Sequence, residues 1–177
     1  MKKDIGSLVL SKAGTFSLQE TLKFLDHEDI GEIIGAIYED LTQICTNEYG
    51  THFIQKLLHF SRNHCLISYL LENMAILGTS KHGIVVLKAL LKTNATQEMY
   101  RYWILESCQN NFEELAFSEF GHYLIEELFE VYSYYELQNL VAYLVAHGAR
   151  LSLNQFSSSI LRKIIQNYGD YACSPMI

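Results

Sequence analysis

One short phrase recurs five times along this chain at nearly equal intervals, and it constrains the fold more than any other feature of the sequence. The five copies are LVLSKAGTFSLQETLKFL, ICTNEYGTHFIQKLLHF, LGTSKHGIVVLKALLKT, LAFSEFGHYLIEELFEV and LSLNQFSSSILRKIIQN. Each copy contains one small residue that we call the anchor, and the five anchors are Gly14, Gly50, Gly83, Gly121 and Ser157. They are separated by 36, 33, 38 and 36 residues, and a period of about 20 to 50 residues is typical of stacked helical units.

Each unit has the same three parts. A short apolar segment ends near the anchor, a second helix is predicted to begin there, and an amphipathic third stretch such as NHCLISYLLENM follows. The single proline, Pro175, leaves the rest of the chain free to be helical. No unit could bury its apolar face alone, so neighbouring units must stack and share a core. The sequence predicts an all-α solenoid in one domain, with repeats at approximately 5–38, 39–74, 75–110, 111–148 and 149–177.

The anchor glycine is expected to lie at a tight break between two helices, where a left-handed or closely packed backbone favours a residue without a Cβ. Ser157 is expected to act instead as the N-cap of the helix that follows it. The first, second and fifth positions after each anchor are predicted to share one side of the second helix. Five such triplets would then follow one another along a single surface.

Composition limits the class of protein and its expected location. A chain of 177 residues with 49% hydrophobic residues can bury a sizeable core. The cysteines are far apart without a CxxC pair, so we expect reduced, intracellular thiols packed in the core rather than zinc ligands or disulfides: Cys45, Cys65, Cys108 and Cys173. Asp4 and Lys12 interrupt the first apolar stretch, and no stretch approaches the roughly 20 apolar residues of a membrane helix. A cytoplasmic location is expected, with the nucleus or nucleolus as the alternative.

Motifs that would indicate catalysis are missing from the sequence. It contains no glycine-rich phosphate loop, no GxSxG and no HExxH. His59, His64 and Cys65 flank a predicted turn without a third ligand in phase. We therefore expect no enzymatic activity, no bound metal and no small-molecule cofactor.

Three of the phrases resemble a known repeat. YGTHFIQKLL at 49–58 resembles the core motif of a Pumilio (PUF) repeat, and FGHYLIEELF at 120–129 and FSSSILRKII at 156–165 are similar to it. The resemblance implies a right-handed, crescent-shaped solenoid of about five three-helix repeats, whose second helices line a concave face that binds single-stranded RNA at roughly one base per repeat. It implies a role in post-transcriptional regulation of messenger RNA. Repeat domains of this family usually contain eight units, so the chain resembles a short and diverged member.

The resemblance also implies roles for individual residues. In that family the first and fifth positions after the anchor contact the edge of a base, and the second stacks on it. The triplets carried over from the three clearest units are Thr15, Phe16 and Gln19; Thr51, His52 and Gln55; His122, Tyr123 and Glu126. Glu126 would suit the donors of guanine, whereas Gln19 and Gln55 could pair with uracil or adenine because an amide both donates and accepts.

Two units depart from the pattern. The third unit offers Ile84, Val85 and Lys88, of which only the lysine could meet RNA, through a phosphate. The fifth offers Ser158, Ser159 and Arg162, where the arginine could stack or donate. These departures favour an alternative function, a scaffold that binds a protein partner on the convex face or at an open end, or ribosome-assembly RNA by shape.

Charge and the remaining aromatic residues give further expectations. A net charge of −7 and a pI near 5.4 oppose the binding of a polyanion. Five basic residues are predicted on the second helices: Lys56, Lys88, Lys92, Arg162 and Lys163. Four tyrosines are predicted to pack between units: Tyr132, Tyr134, Tyr135 and Tyr143.

Overall fold

The fold was obtained as a computed structural model that describes residues 2–61, 63–93 and 98–172. The described chain forms fourteen α-helices and two short 3-10 helices, Leu22–Phe24 and Tyr38–Asp40. The α-helices are α1 Lys2–Val9, α2 Lys12–Thr21, α3 His27–Ile37, α4 Leu41–Cys45, α5 Gly50–Phe60, α6 His64–Glu72, α7 Met74–Gly78, α8 Gly83–Lys92, α9 Glu98–Asn110, α10 Phe112–Ala116, α11 His122–Val131, α12 Tyr134–Ala146, α13 Gly148–Ser152 and α14 Ser157–Ala172. The prediction of an all-α solenoid is confirmed.

Every second helix begins with the same local hydrogen bond. A serine or asparagine lies three residues before each anchor, and its side-chain oxygen accepts a hydrogen bond from the anchor's backbone N–H at 3.0 to 3.3 Å. These capping residues are Ser11, Asn47, Ser80, Ser118 and Asn154. Such a side chain satisfies a backbone donor that the first turn of a helix leaves free.

The anchors are small because the first helix of each unit passes directly over them. A Cβ added to Gly14, Gly50, Gly83 or Gly121 would lie inside 3.0 Å of the carbonyl oxygen six residues earlier, a separation that side-chain carbons do not adopt. The close-packing explanation for the glycines is thus confirmed. The left-handed alternative is not, since no described residue has a positive φ.

Ser157 fills the anchor position of the last unit in a different way from the one predicted. Its hydroxyl donates a hydrogen bond of 2.7 Å to the carbonyl oxygen of Leu151, the residue six positions earlier. The capping oxygen belongs to Asn154, which accepts from the backbone N–H groups of Phe156 and Ser157. The prediction that Ser157 is the N-cap is therefore wrong, because this side chain points back to the preceding helix.

The core runs continuously through all five units. Second helices pack on one another in the order α2, α5, α8, α11 and α14. On α5, Phe53, Ile54 and Leu57 are fully buried, as the helical spacing of apolar residues predicts. The third helices α3, α6, α9 and α12 form a separate layer. We call the exposed surface of the first set the second-helix face and that of the other set the third-helix face.

Polar bonds between third-helix regions tie consecutive units together. The Ser107 hydroxyl donates to the carbonyl of Leu71 at 2.8 Å, and the Tyr132 hydroxyl donates to the carbonyl of Arg101 at 2.9 Å. The Arg101 guanidinium bonds both carboxylate oxygens of Glu136 at 2.8 and 3.0 Å. These bonds link neighbouring units in addition to the shared apolar core.

The prediction that tyrosines pack between units is correct for two of its four residues. Tyr132 is buried and bonds Arg101 of the third unit, and the Tyr134 ring lies 5.4 Å from that of Tyr168 in the fifth unit. The Tyr143 ring instead lies 5.3 Å from the ring of Phe112, a residue of its own unit. Tyr135 is 81% exposed, so the prediction is wrong for this residue. It occupies the second position of α12, where its side chain points outward from the stack.

The cysteines divide between core and surface. Cys45 and Cys108 are buried, and burial raises the pKa of each thiol to about 12, so both are protonated packing residues at neutral pH. Cys65 is exposed on α6 and does not fill the core as expected. Cys173 lies outside the described residues.

Two absences concern only the described part of the chain. None of its helices combines the length and apolar character needed to cross a membrane. Its histidine, cysteine and acidic side chains form no group of three or more that could hold a metal ion.

The anchor contact predicts opposite effects for two glycine substitutions. Gly50→Ala should destabilise the protein by about 1 to 3 kcal/mol, because the new methyl group overlaps the carbonyl of Ile44 and the two helices must separate. Gly31→Ala, inside α3 with nothing within 4 Å of the added carbon, should stabilise it by roughly 0.5 to 1 kcal/mol. Urea unfolding of both variants measures the change in the free energy of unfolding. A change of the same sign in both variants would contradict the packing explanation.

Candidate nucleic-acid interface

The predicted triplets all lie on second helices, but their three positions differ in exposure. The first position is buried in the first four units, with relative exposures of 4% for Thr15, 3% for Thr51, 5% for Ile84 and 6% for His122. The prediction that all three positions share the open side is therefore wrong for the first position. The reason is the anchor contact, which holds the start of each second helix against the preceding short helix.

Buried hydroxyl groups at the first position are bonded within the chain. The Thr15 hydroxyl donates to the carbonyl of Val9, and the Thr51 hydroxyl donates to the carbonyl of Glu48 at 3.1 Å. Since a hydroxyl has a single hydrogen, each threonine can offer a base only an acceptor lone pair in this arrangement. Their edge-reading roles remain predictions.

The second position is the open one. Phe16 is 68% exposed, Tyr123 is 48% exposed, and His52 is also exposed. Val85 occupies the same place in the third unit at 41% exposure and offers no ring. Three aromatic side chains thus project from α2, α5 and α11, and the aliphatic Val85 on α8 lies between the second and third of them.

Side chains at the fifth position join the second-position residues in an open cleft across α2, α5 and α8. The cleft brings together five predicted residues, Gln19, His52, Gln55, Val85 and Lys88. Gln55 donates from its amide nitrogen to the carbonyl of Thr51 at 3.1 Å, which leaves its amide oxygen and a second N–H for a ligand. The fifth position is half-buried in the first four units, so these side chains have restricted orientations.

Sequence reasoning left three residues of this cleft out of the RNA-binding triplets, although it predicted Lys56 and Lys92 on second helices. Lys56, His59 and Lys92 line the cleft beside the predicted residues. Helical spacing provides the signal for two of them, because His59 follows Gln55 by four residues and Lys92 follows Lys88 by four. Each pair therefore lies along one stripe of its helix.

The predicted phosphate contact of Lys88 is occupied by a carboxylate of the chain. Glu127 on α11 bridges Lys88 at 2.8 Å and Lys92 at 2.7 Å, and its side chain is only 12% exposed. Burial opposes ionisation of Glu127, but the hydrogen bonds from the two lysines outweigh burial and hold the pKa of this carboxyl below its ordinary value. The carboxylate is thus ionised at neutral pH and neutralises half of the lysine charge.

A second internal ion pair lies further along the same face. Lys163 on α14 pairs with Glu130 on α11, and this pairing raises the pKa of Lys163. The five basic residues do lie on second helices as predicted, but three of them are paired with glutamates. Lys56 and Arg162 are exposed and have no salt bridge within the described chain.

The fourth and fifth units are joined by aromatic and polar contacts. The His122 ring lies between Tyr123, at a centroid distance of 3.9 Å, and Phe156, at 5.4 Å and nearly parallel. The Ser159 hydroxyl donates to one carboxylate oxygen of Glu126, which leaves the other oxygen for a base. Ser158 is half-buried and donates to the carbonyl of Gln155 at 3.0 Å. Side chains of the fourth and fifth units are thus already engaged with one another, while Tyr123 and Arg162 remain exposed.

Comparisons with known proteins agree with this architecture, although no family model matches the chain. It is 26% identical over 143 residues to putative pumilio homolog 13 of Arabidopsis thaliana, covering 78% of this chain and 26% of that protein. It is 28% identical over 177 residues to suppressor protein MPT5 of Saccharomyces cerevisiae, covering 92% of this chain and 20% of that protein. The chain therefore spans about a quarter of the length of these curated relatives.

Solved structures show the same fold at low sequence identity. The Puf4 RNA binding domain bound to an HO endonuclease RNA 3' UTR recognition sequence matches with a TM-score of 0.84 and 17% identity, covering 99% of this chain and 55% of that one. The RNA-binding domain of yeast Puf5p bound to AAT2 RNA matches with a TM-score of 0.73 and 19% identity, covering 97% of this chain and 54% of that one.

Repeat phase, stacked second helices and relatives agree with the resemblance of the motif to Pumilio (PUF) repeats. The motif residues recur at the start of each second helix, and the solenoid they build superposes on the solved domains along nearly the whole chain. Two curated relatives from Arabidopsis thaliana, putative pumilio homolog 13 and pumilio homolog 12, carry the Pumilio name. The chain is therefore similar in sequence to Pumilio (PUF) proteins and has the fold of solved Puf domains.

Proposed function

We propose that this chain binds single-stranded RNA along its second-helix face and acts in post-transcriptional regulation of messenger RNA. The observation that supports this most strongly is the cleft across α2, α5 and α8, where an exposed histidine, two glutamines and three lysines meet on consecutive repeats. Aromatic rings, amides and lysines are the groups that hold bases and phosphates of single strands. The solved Puf4 and Puf5p domains bound to RNA support the same choice of ligand.

Stacking supplies most of the expected affinity. A base stacked on an aromatic side chain contributes roughly 1 to 3 kcal/mol, so Phe16, His52 and Tyr123 together give a gross figure of about 3 to 9 kcal/mol. A micromolar complex needs about 8 kcal/mol. We therefore propose moderate affinity for a short RNA segment, with bases on the first, second and fourth units.

Electrostatic attraction contributes less than in a basic RNA-binding protein. Glu127 and Glu130 neutralise part of the lysine charge on the face itself, and the chain carries a net charge of −7. Affinity should then depend weakly on salt, because few phosphate contacts release counterions. Lys56, exposed in the cleft without a salt bridge in the described chain, is the best placed residue for a phosphate.

Removing two stacking rings tests the proposal. The double variant His52→Ala and Tyr123→Ala should weaken binding to single-stranded RNA by tenfold or more, since two stacking contacts of at least about 1 kcal/mol each are lost. Fluorescence anisotropy with a labelled pool of short RNAs measures the change at fixed salt.

A matched control separates stacking from general loss of aromatic surface. Tyr135→Ala removes a ring that is 81% exposed on the third-helix side, and it should leave RNA affinity unchanged. RNA binding that is equal in the parent and the double variant would contradict the proposal, as would an equal loss in the Tyr135 variant.

A substitution at Glu127 gives a second test, in which RNA affinity is expected to rise. Glu127→Gln should raise RNA affinity by roughly threefold or more at low salt, because Lys88 and Lys92 become free to meet phosphates. The gain should shrink at high salt, where exposed charges are screened. Glu32→Gln on α3 removes the same charge away from the second-helix face and should have little effect. An unchanged or lower affinity of the Glu127 variant would show that the lysines do not meet RNA.

A further inference from the structure

A groove between α9 and α12 on the third-helix face has no role in the proposed RNA binding. It consists of two adjoining cavities of about 620 Å³ and 390 Å³. Both cavities are lined by Gln109, Asn110 and Asn139, so these three amides lie at the centre of one continuous groove. Residues of the third and fourth units form its two walls.

The central amides are available to a ligand. Asn110 and Asn139 are exposed and Gln109 is half-buried, and none of the three makes a side-chain hydrogen bond within the described chain. By contrast, the neighbouring Asn111 donates to the carbonyl of Ser107 at 2.8 Å. A primary amide presents donors and an acceptor together, which matches the N–H and C=O of a peptide group.

The backbone of the ligand must have free hydrogen-bonding groups to use these amides. A helix satisfies its interior N–H and C=O groups internally, whereas an extended segment leaves them open. The amides of this groove therefore favour an extended polypeptide over a docked helix.

Charge at the ends of the groove selects the kind of segment. Glu106, Glu113, Glu114 and Glu136 line the two cavities. Arg101 neutralises Glu136 and Arg150 neutralises Glu113, which leaves Glu106 and Glu114 as the excess negative charge. No lysine occurs between Lys92 and Lys163 in the sequence.

An exposed aromatic ring adds a cation-binding surface at one end. Tyr102 lines the larger cavity, is 66% exposed, and donates from its hydroxyl to Glu106 at 3.4 Å. A ring next to a carboxylate suits an arginine or lysine side chain, through cation–π and ionic contacts at once.

We propose that the groove between α9 and α12 is a docking site for an extended, basic polypeptide segment of a protein partner. Gln109, Asn110 and Asn139 bond its backbone, while Glu106, Glu114 and Tyr102 bind its basic side chains. This site is separate from the second-helix face and does not depend on RNA binding there. The same negative charge opposes the binding of RNA in the groove.

The test uses a fluorescein-labelled peptide of twelve residues with alternating arginine and serine, in which every second side chain of an extended strand is basic. The full chain should bind it saturably, and the same peptide N-methylated at alternate residues should bind at least tenfold more weakly, because its charge is kept but backbone donors are lost. No saturable binding, or equal binding of both peptides, would overturn the proposal.

Paired variants locate the site. Asn110→Ala with Asn139→Ala should weaken peptide binding by about tenfold, the loss of two hydrogen bonds of roughly 0.5 to 1.5 kcal/mol each. Gln138→Ala with Gln166→Ala, two exposed amides outside the groove, should not. Glu106→Gln with Glu114→Gln should also weaken binding, whereas Glu32→Gln with Glu39→Gln should not.

If the groove variants and their controls lost the same amount of peptide affinity, the peptide would be attracted by the overall negative charge of the chain and not by the groove. The proposal would then be wrong. The amide variant should keep the parent's RNA affinity and unfolding midpoint. A failure of peptide binding with intact RNA binding would thus reject the groove alone, and the reverse result would reject only the RNA proposal.

Discussion

The close approach between each anchor and the carbonyl oxygen six residues earlier determines the rest of this structure. It fixes how a short first helix crosses the start of the second helix, and it recurs in all five units, through a bare glycine in four and through the Ser157 hydroxyl in the last. Because every second helix starts from the same contact, the five helices stack in one register and present a common face.

That contact also decides which side chains of the face can meet a ligand. The position after the anchor is held against the preceding helix and is buried, the next position projects outward, and the fifth lies at half depth. Charges on the face depend on neighbouring units as well, since Glu127 on α11 bridges two lysines of α8. The ligand surface is therefore a property of pairs of units and not of single motifs.

The repeat phase allowed the helices, their order and the open second position to be predicted from sequence, because each follows from a local pattern. The five capping residues were not predicted, although a serine or asparagine stands three places before every anchor in the sequence. The burial of Thr15 and Thr51, the Ser157 hydrogen bond and the Glu127 bridge could not be predicted, because they depend on how a helix crosses its neighbour. The groove between α9 and α12 is of the same kind, since its amides come from two units.

The most direct test of the central claim is to map the contact between protein and RNA. Short single-stranded RNAs containing a photoreactive uracil analogue would be cross-linked to the chain, and the modified residues identified by mass spectrometry. The structure predicts adducts on the exposed second positions and the cleft, at Phe16, His52, Tyr123 and Lys56. Adducts confined to the third helices, or none at RNA concentrations that saturate binding, would contradict RNA recognition by the second-helix face.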